Sequence, residues 1–120
     1  MSVRAGEAYR FFQEVWFDGH RHGVTGGGEC QITRGSDGLT WDGAAFTAGD
    51  HWNATMVSAG GHYYDWTVPA AANDGDVFTM RIRLADDPDT EGGGTMVVRE
   101  AGEGGPGGDV FIYPITVFDD

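Results

Sequence analysis

The chain has 120 residues, 40% of them apolar and 21 of them glycine, and its 19 acidic side chains face 7 basic ones for a net charge of -12. That length suits one domain with one core, and the apolar content is too high for a disordered chain. The charge excludes nucleic acid and anionic membranes as partners, because both repel so negative a surface.

Every basic residue is Arg, and Lys is absent. Cys30 is the single cysteine, so no internal disulfide forms. It sits on one strand face with Ile32 and reads as a small buried hydrophobe. The opening residues lack the apolar stretch of a signal peptide. No apolar run approaches the roughly 20 residues of a spanning helix. Synthesis in the cytoplasm, without membrane association, is the expectation. Residues 1–6 read as a flexible tether.

Residues 9–17 form the first periodic segment. Tyr9, Phe11, Val15 and Phe17 share a face, and Gln13 interrupts it. The aromatics favour a strand, which Asp18-Gly19 ends. A Gly- and His-rich loop is expected over 19–28, then a short strand over 29–34 and a turn over 35–38. Asp42-Gly43 is a hairpin signal between 39–41 and 44–46, because both residues tolerate positive φ. Residues 52–58 alternate as another strand. Gly60-Gly61 then turns the chain into 62–68, where Tyr64, Trp66 and Val68 share a face. Pro69 stops that strand, since proline cannot donate to a ladder.

After a turn over 73–76 comes the clearest strand, 77–85. Phe78, Met80, Ile82 and Leu84 point one way, with Thr79, Arg81 and Arg83 opposite. An acidic, glycine-ended loop is expected over 86–94 and a strand over 95–100. The nearly all-Gly stretch 102–108 reads as a flexible tip. The last strand, 110–118, contains Pro114, which implies an edge or a bulge. Seven to nine short strands with Gly-rich loops predict a single all-β, antiparallel β-sandwich. No repeat, heptad or second domain is visible.

Two groups of side chains have the chemistry of metal ligands. His20 and His22 share a face if extended, and His51 and His62 are potential companions. Asp86, Asp87 and Asp89 cluster hard oxygen ligands, but without the order of a calcium loop. The bland readings, solvated loop histidines and a solvated acidic turn, are preferred, so no metal or cofactor is expected. Tyr63, Trp52 and Trp41 are the aromatic candidates for a binding face, and Pro114 marks a candidate docking edge. Core packing is the expected role of Tyr64 and Trp66. No nucleophile elbow, phosphate loop or other catalytic constellation is present, which predicts a protein without enzymatic activity.

The order of motifs resembles small structural proteins of tailed phages. These motifs are Gly23-Val24-Thr25-Gly26, Ile32-Thr33-Arg34-Gly35 with Asp37-Gly38, Met56 through Tyr64, Gly75-Asp76-Val77-Phe78, and Phe111-Ile112-Tyr113-Pro114. The resemblance implies an immunoglobulin-like virion component, either a capsid decoration or a tail- or fibre-associated protein. It further implies many copies docked on other virion proteins, and no catalytic residues. The alternative is a carbohydrate-binding module that stacks surface glycans on Tyr63, Trp41 or Trp52.

Overall fold

A computed structural model describes the backbone of residues 2–17, 20–22, 27–58, 61–84, 87–99 and 110–117, and side chains over 2–13, 27–57, 61–84 and 92–99. Among the described residues there are twelve strands and no helix, so the fold is all-β. The strands are β1 (Ser2–Val3), β2 (Ala8–Phe17), β3 (His20–His22), β4 (Gly28–Arg34), β5 (Thr40–Trp41), β6 (Phe46–Thr47), β7 (Asn53–Ala54), β8 (Met56–Ser58), β9 (Gly61–Thr67), β10 (Val77–Leu84), β11 (Asp87–Val98) and β12 (Val110–Val117). A seven-stranded sheet runs β1-β11-β10-β4-β5-β6, with β7 also on β4. A five-stranded sheet runs β12-β2-β9-β8, with β3 also on β2.

The alternation of β10 sets the first sheet. Phe78, Met80 and Ile82 are buried while Val77 and Arg81 are exposed. Met80 lies opposite Ile32 and Ile82 opposite Cys30 on β4. The second sheet supplies Tyr9, Phe11 and Trp66 to the same core. The two layers meet through Trp66, whose ring lies 5.2 Å from Phe78 and 6.4 Å from Phe11. Trp41 and Phe46 close this end with edge-on contacts to Trp66.

Several expectations need correction. Residues 1–6 do not form a tether over their described part. Ser2–Val3 pairs in parallel with Val97 and Val98, and Val3 is fully buried. An apolar side chain that leaves water for the core fixes the segment around it. The ladders are mixed rather than antiparallel throughout, because β12 also pairs in parallel with β2. The histidine loop contributes β3, antiparallel to the end of β2. The segment 52–58 is two strands. Its first part pairs with β4 and its second with β9, so the chain changes sheets at Thr55, whose N–H donates to the Gly28 carbonyl at 2.9 Å.

The acidic stretch is strand rather than loop from Asp87 onward. Gly94, Gly93 and Gly92 lie opposite Met80, Arg81 and Ile82. Gly93 has φ of 141°, and a Cβ there would sit 2.0 Å from the Met80 carbonyl oxygen. Only glycine admits that backbone approach. The glycine-rich stretch 102–108 lies outside the described residues.

The Asp42-Gly43 hairpin is present with a four-residue turn. The Asp42 carboxylate accepts the Ala44 and Ala45 N–H groups at 2.9 and 2.8 Å, and Gly43 takes φ of 106°. Trp41 faces Phe46 across it.

Candidate functional site

Period two places a polar network on the outer face of the larger sheet. Glu29 and Gln31 leave β4 on that side, and Arg83 and Arg81 lie directly opposite on β10. Arg81 donates to the Gln31 carbonyl oxygen at 3.1 Å, and Arg83 reaches Glu29 at 3.4 Å. The Gln31 amide donates to Asp50. Asp50 is held below the ordinary carboxylate range, first by that amide and further by the charges of Arg81 and Arg83. The Arg83 guanidinium stacks 3.6 Å from the centre of the Trp52 ring, and Arg81 lies 5.2 Å from it. Trp52 is therefore half-buried, with a cation across its face.

The outer face of the smaller sheet repeats this arrangement. Arg10 on β2 lies opposite Asp65 on β9, and Phe12 lies opposite Tyr63. Arg10 grips Asp65 with Nε at 2.9 Å and Nη2 at 3.1 Å. Its guanidinium lies 4.0 Å from the Tyr63 ring centre. Beyond Tyr63 comes β8, the edge strand, where Met56 is 61% and Val57 52% exposed. Along an edge strand one row of backbone donors and acceptors lacks a partner within the sheet. Exposed apolar side chains on such an edge favour pairing with another chain.

The sequence candidates separate on this frame. Trp41 packs on Phe46 and Trp66 and belongs to the core rim, not to a platform. Trp52 and Tyr63 do lie on outer faces, each beneath an arginine. Pro114 falls in β12, at the other edge of the smaller sheet. Backbone is described for His20, His22, Asp87 and Asp89, but their side chains, and all of Asp86, lie outside the described residues. His62 is not a loop residue. It is fully buried in β9, opposite Gln13, which is also fully buried. His51 shares its Nε2 with the Thr47 hydroxyl and the Ala48 carbonyl. Among the described residues, no three His, Cys, Asp or Glu side chains converge as a metal site.

Arg10, Glu29, Met56 and Val57 were not among the site residues expected from the sequence. The usable signal is the outward Arg81-Arg83 pair on β10, because like-facing residues on a neighbouring strand have to answer two cations.

An all-β, two-layered domain with arginine-capped aromatic faces and an apolar edge is the class that fold and surface define. Comparison with protein families, curated proteins and solved structures finds no match to this chain.

Proposed function

We propose that the chain is a non-enzymatic structural protein of a virion, an immunoglobulin-like decoration or a tail- or fibre-associated component, which docks through the edge of its smaller sheet. The observation that carries this reading is the exposure of Met56 and Val57 on β8, at a sheet edge. Strand addition there supplies backbone hydrogen bonds, and the two side chains supply apolar area. The net charge of -12 keeps free copies apart and favours a neutral or basic partner strand. Many copies on one particle, assembled after synthesis in the host cytoplasm, fit the motif order of the sequence.

The glycan-binding alternative is weaker. Sugar stacking needs an open ring face, whereas Arg83 and Arg10 already occupy faces of Trp52 and Tyr63. Electron microscopy and protein analysis of purified particles test the proposal. The expected result is a stoichiometric surface component that is lost in a Met56→Glu, Val57→Lys variant. Particles lacking the protein, or incorporation unaffected by the variant, overturn it.

A further inference from the structure

Strand β9 is flanked on both sides at His62. Gln13 of β2 lies opposite it on one side and Val57 of β8 on the other. The His62 side chain is fully buried, and its ring packs on the backbone of Gly28, where a Cβ would lie 3.1 Å from Cγ and 3.2 Å from Nδ1. Gly28 belongs to β4, in the other sheet, and its carbonyl accepts the Thr55 N–H at 2.9 Å, where the chain crosses to β8. The imidazole therefore sits beneath the crossover that delivers the edge strand.

Nothing around the ring answers a positive charge. Both ring nitrogens, both polar atoms of the Gln13 amide and the Thr55 hydroxyl are buried without a hydrogen-bond partner. β2 presents the neutral Gln13, β8 presents Val57, and β4 presents Gly28. Cys30 and Tyr64 follow along the inner faces of β4 and β9. Burial pushes the Cys30 thiol up to about 12 and raises the Tyr64 phenol, so both stay neutral in acid. The charged pairs Arg10 with Asp65 and Arg83 with Glu29 lie on the outer faces. Burial alone holds the His62 imidazole below its ordinary value.

An imidazolium in such a site is costly until water reaches it, and water enters where the packing is least anchored. β2 meets β9 over seven register pairs and β12 over eight. β8 meets β9 over three, and its other side is the sheet edge. The strand that yields is β8.

We propose that His62 is an acid-operated latch on the edge strand: neutral, it lets β8 close over it, and protonated, it drives β8 off β9 while the Trp66 end of the sandwich stays folded. With β8 as the docking edge, a step that rests on the function proposed above, acid unfastens a docked copy. Once β8 is displaced, the imidazole takes up a proton at about pH 6.5. Below that pH the displaced form gains about 10-fold in population per pH unit, until the closed site is itself protonated.

The chain carries its own probes. Met56 reports on the edge, whereas Met80 and Met96 are fully buried in the larger sheet. NMR of the free, intact chain, with labelled methionine methyls and backbone amides, is followed from pH 7.5 to pH 5.0. The Met56 methyl and the Met56 and Val57 amides are expected to move toward the positions of an unstructured chain as the His62 ring titrates. The Met80 and Met96 methyls are expected to stay in place. His62→Gln, which takes up no proton, is expected to keep β8 closed at pH 5.0. The wild-type series stands without the variant. Edge signals that do not move overturn the proposal, as do edge and core signals that move together, the mark of global unfolding. So does an unchanged acid response in folded His62→Gln. A latch that fails in the free chain leaves the docking proposal standing, and particles without the protein leave the latch standing.

Discussion

The interior has two unlike ends. Around Trp66 it is aromatic and dense, with Phe11, Phe78, Phe46 and Trp41 in ring contact. Around His62 it is polar and poorly satisfied. Gln13 and His62 are fully buried cross-strand neighbours, and none of their four side-chain nitrogen and oxygen atoms has a hydrogen-bond partner. Gly28 makes room for them, since a Cβ there would lie 3.1 Å from the His62 ring and 2.7 Å from the Thr55 hydroxyl, which is itself unpartnered. Buried apolar area adds stability at the first end, while desolvated and unpaired polar groups subtract it at the second. One core thus carries both its main support and its main liability, one on each side of Phe11.

The largest expected effect breaks the strong end. Trp66→Ala is expected to cost about 3–5 kcal/mol, through lost transfer energy and the void left behind. Urea denaturation measures it, and a loss under about 1 kcal/mol would erase the distinction between the ends.

The next change mends the weak end. Gln13→Leu removes two unmet polar groups and is expected to add ~1–3 kcal/mol of stability. A lower urea midpoint would show that the glutamine is satisfied in solution and that the polar end is no liability.

A third effect follows from His62, whose pKa burial pushes below the ordinary value of 6.5. The unfolded chain then takes up a proton at a higher pH than the folded one. The folded state therefore loses stability as pH falls below about 6.5, and the loss levels off once pH has passed the lowered folded value. Unfolding curves from pH 8 down to pH 5 are expected to show this slope, and His62→Leu to flatten it. An unchanged slope in the variant would assign the effect elsewhere.

The smallest effect lies on the outer face of the larger sheet. Arg83→Met uncovers Trp52 and breaks a half-exposed ion pair, with an expected change of about 1 kcal/mol or less and a shift in tryptophan emission. A larger loss would make that surface network part of the fold's main support.

The strong end was legible in the sequence and the weak end only partly. The β10 alternation and the shared face of Trp66 and Val68 follow from a side-chain period of two, the stop before Pro69 from its missing N–H, and the structure keeps all three. Gln13 stood out as a flaw in an apolar face. Its neighbour His62 falls by period two on the face of Tyr64, Trp66 and Val68, but what it meets there is set by a register with β2 some 50 residues away. β1 is two residues long and has no period to read. The Gly92–Gly94 part of β11 pairs through backbone groups, and a glycine run carries no face. Both parallel ladders join segments distant in sequence, which local patterning does not encode. The surface candidates were half legible for the same reason. Trp52 and Tyr63, named as candidates for a binding face, lie on outer faces, but the arginines above them arrive from other strands.

Cys30 turns this architecture into its own reporter. Its thiol is fully enclosed, and burial pushes its pKa up to about 12. The thiolate is the nucleophile that attacks an alkylating reagent, so labelling occurs only when the layers part. With one such atom per chain, the rate of label uptake reads the opening frequency of the sandwich directly, without mutation or an attached dye. Run on free protein and on the proposed virion assembly, the same clock is expected to slow where docking holds the layers together.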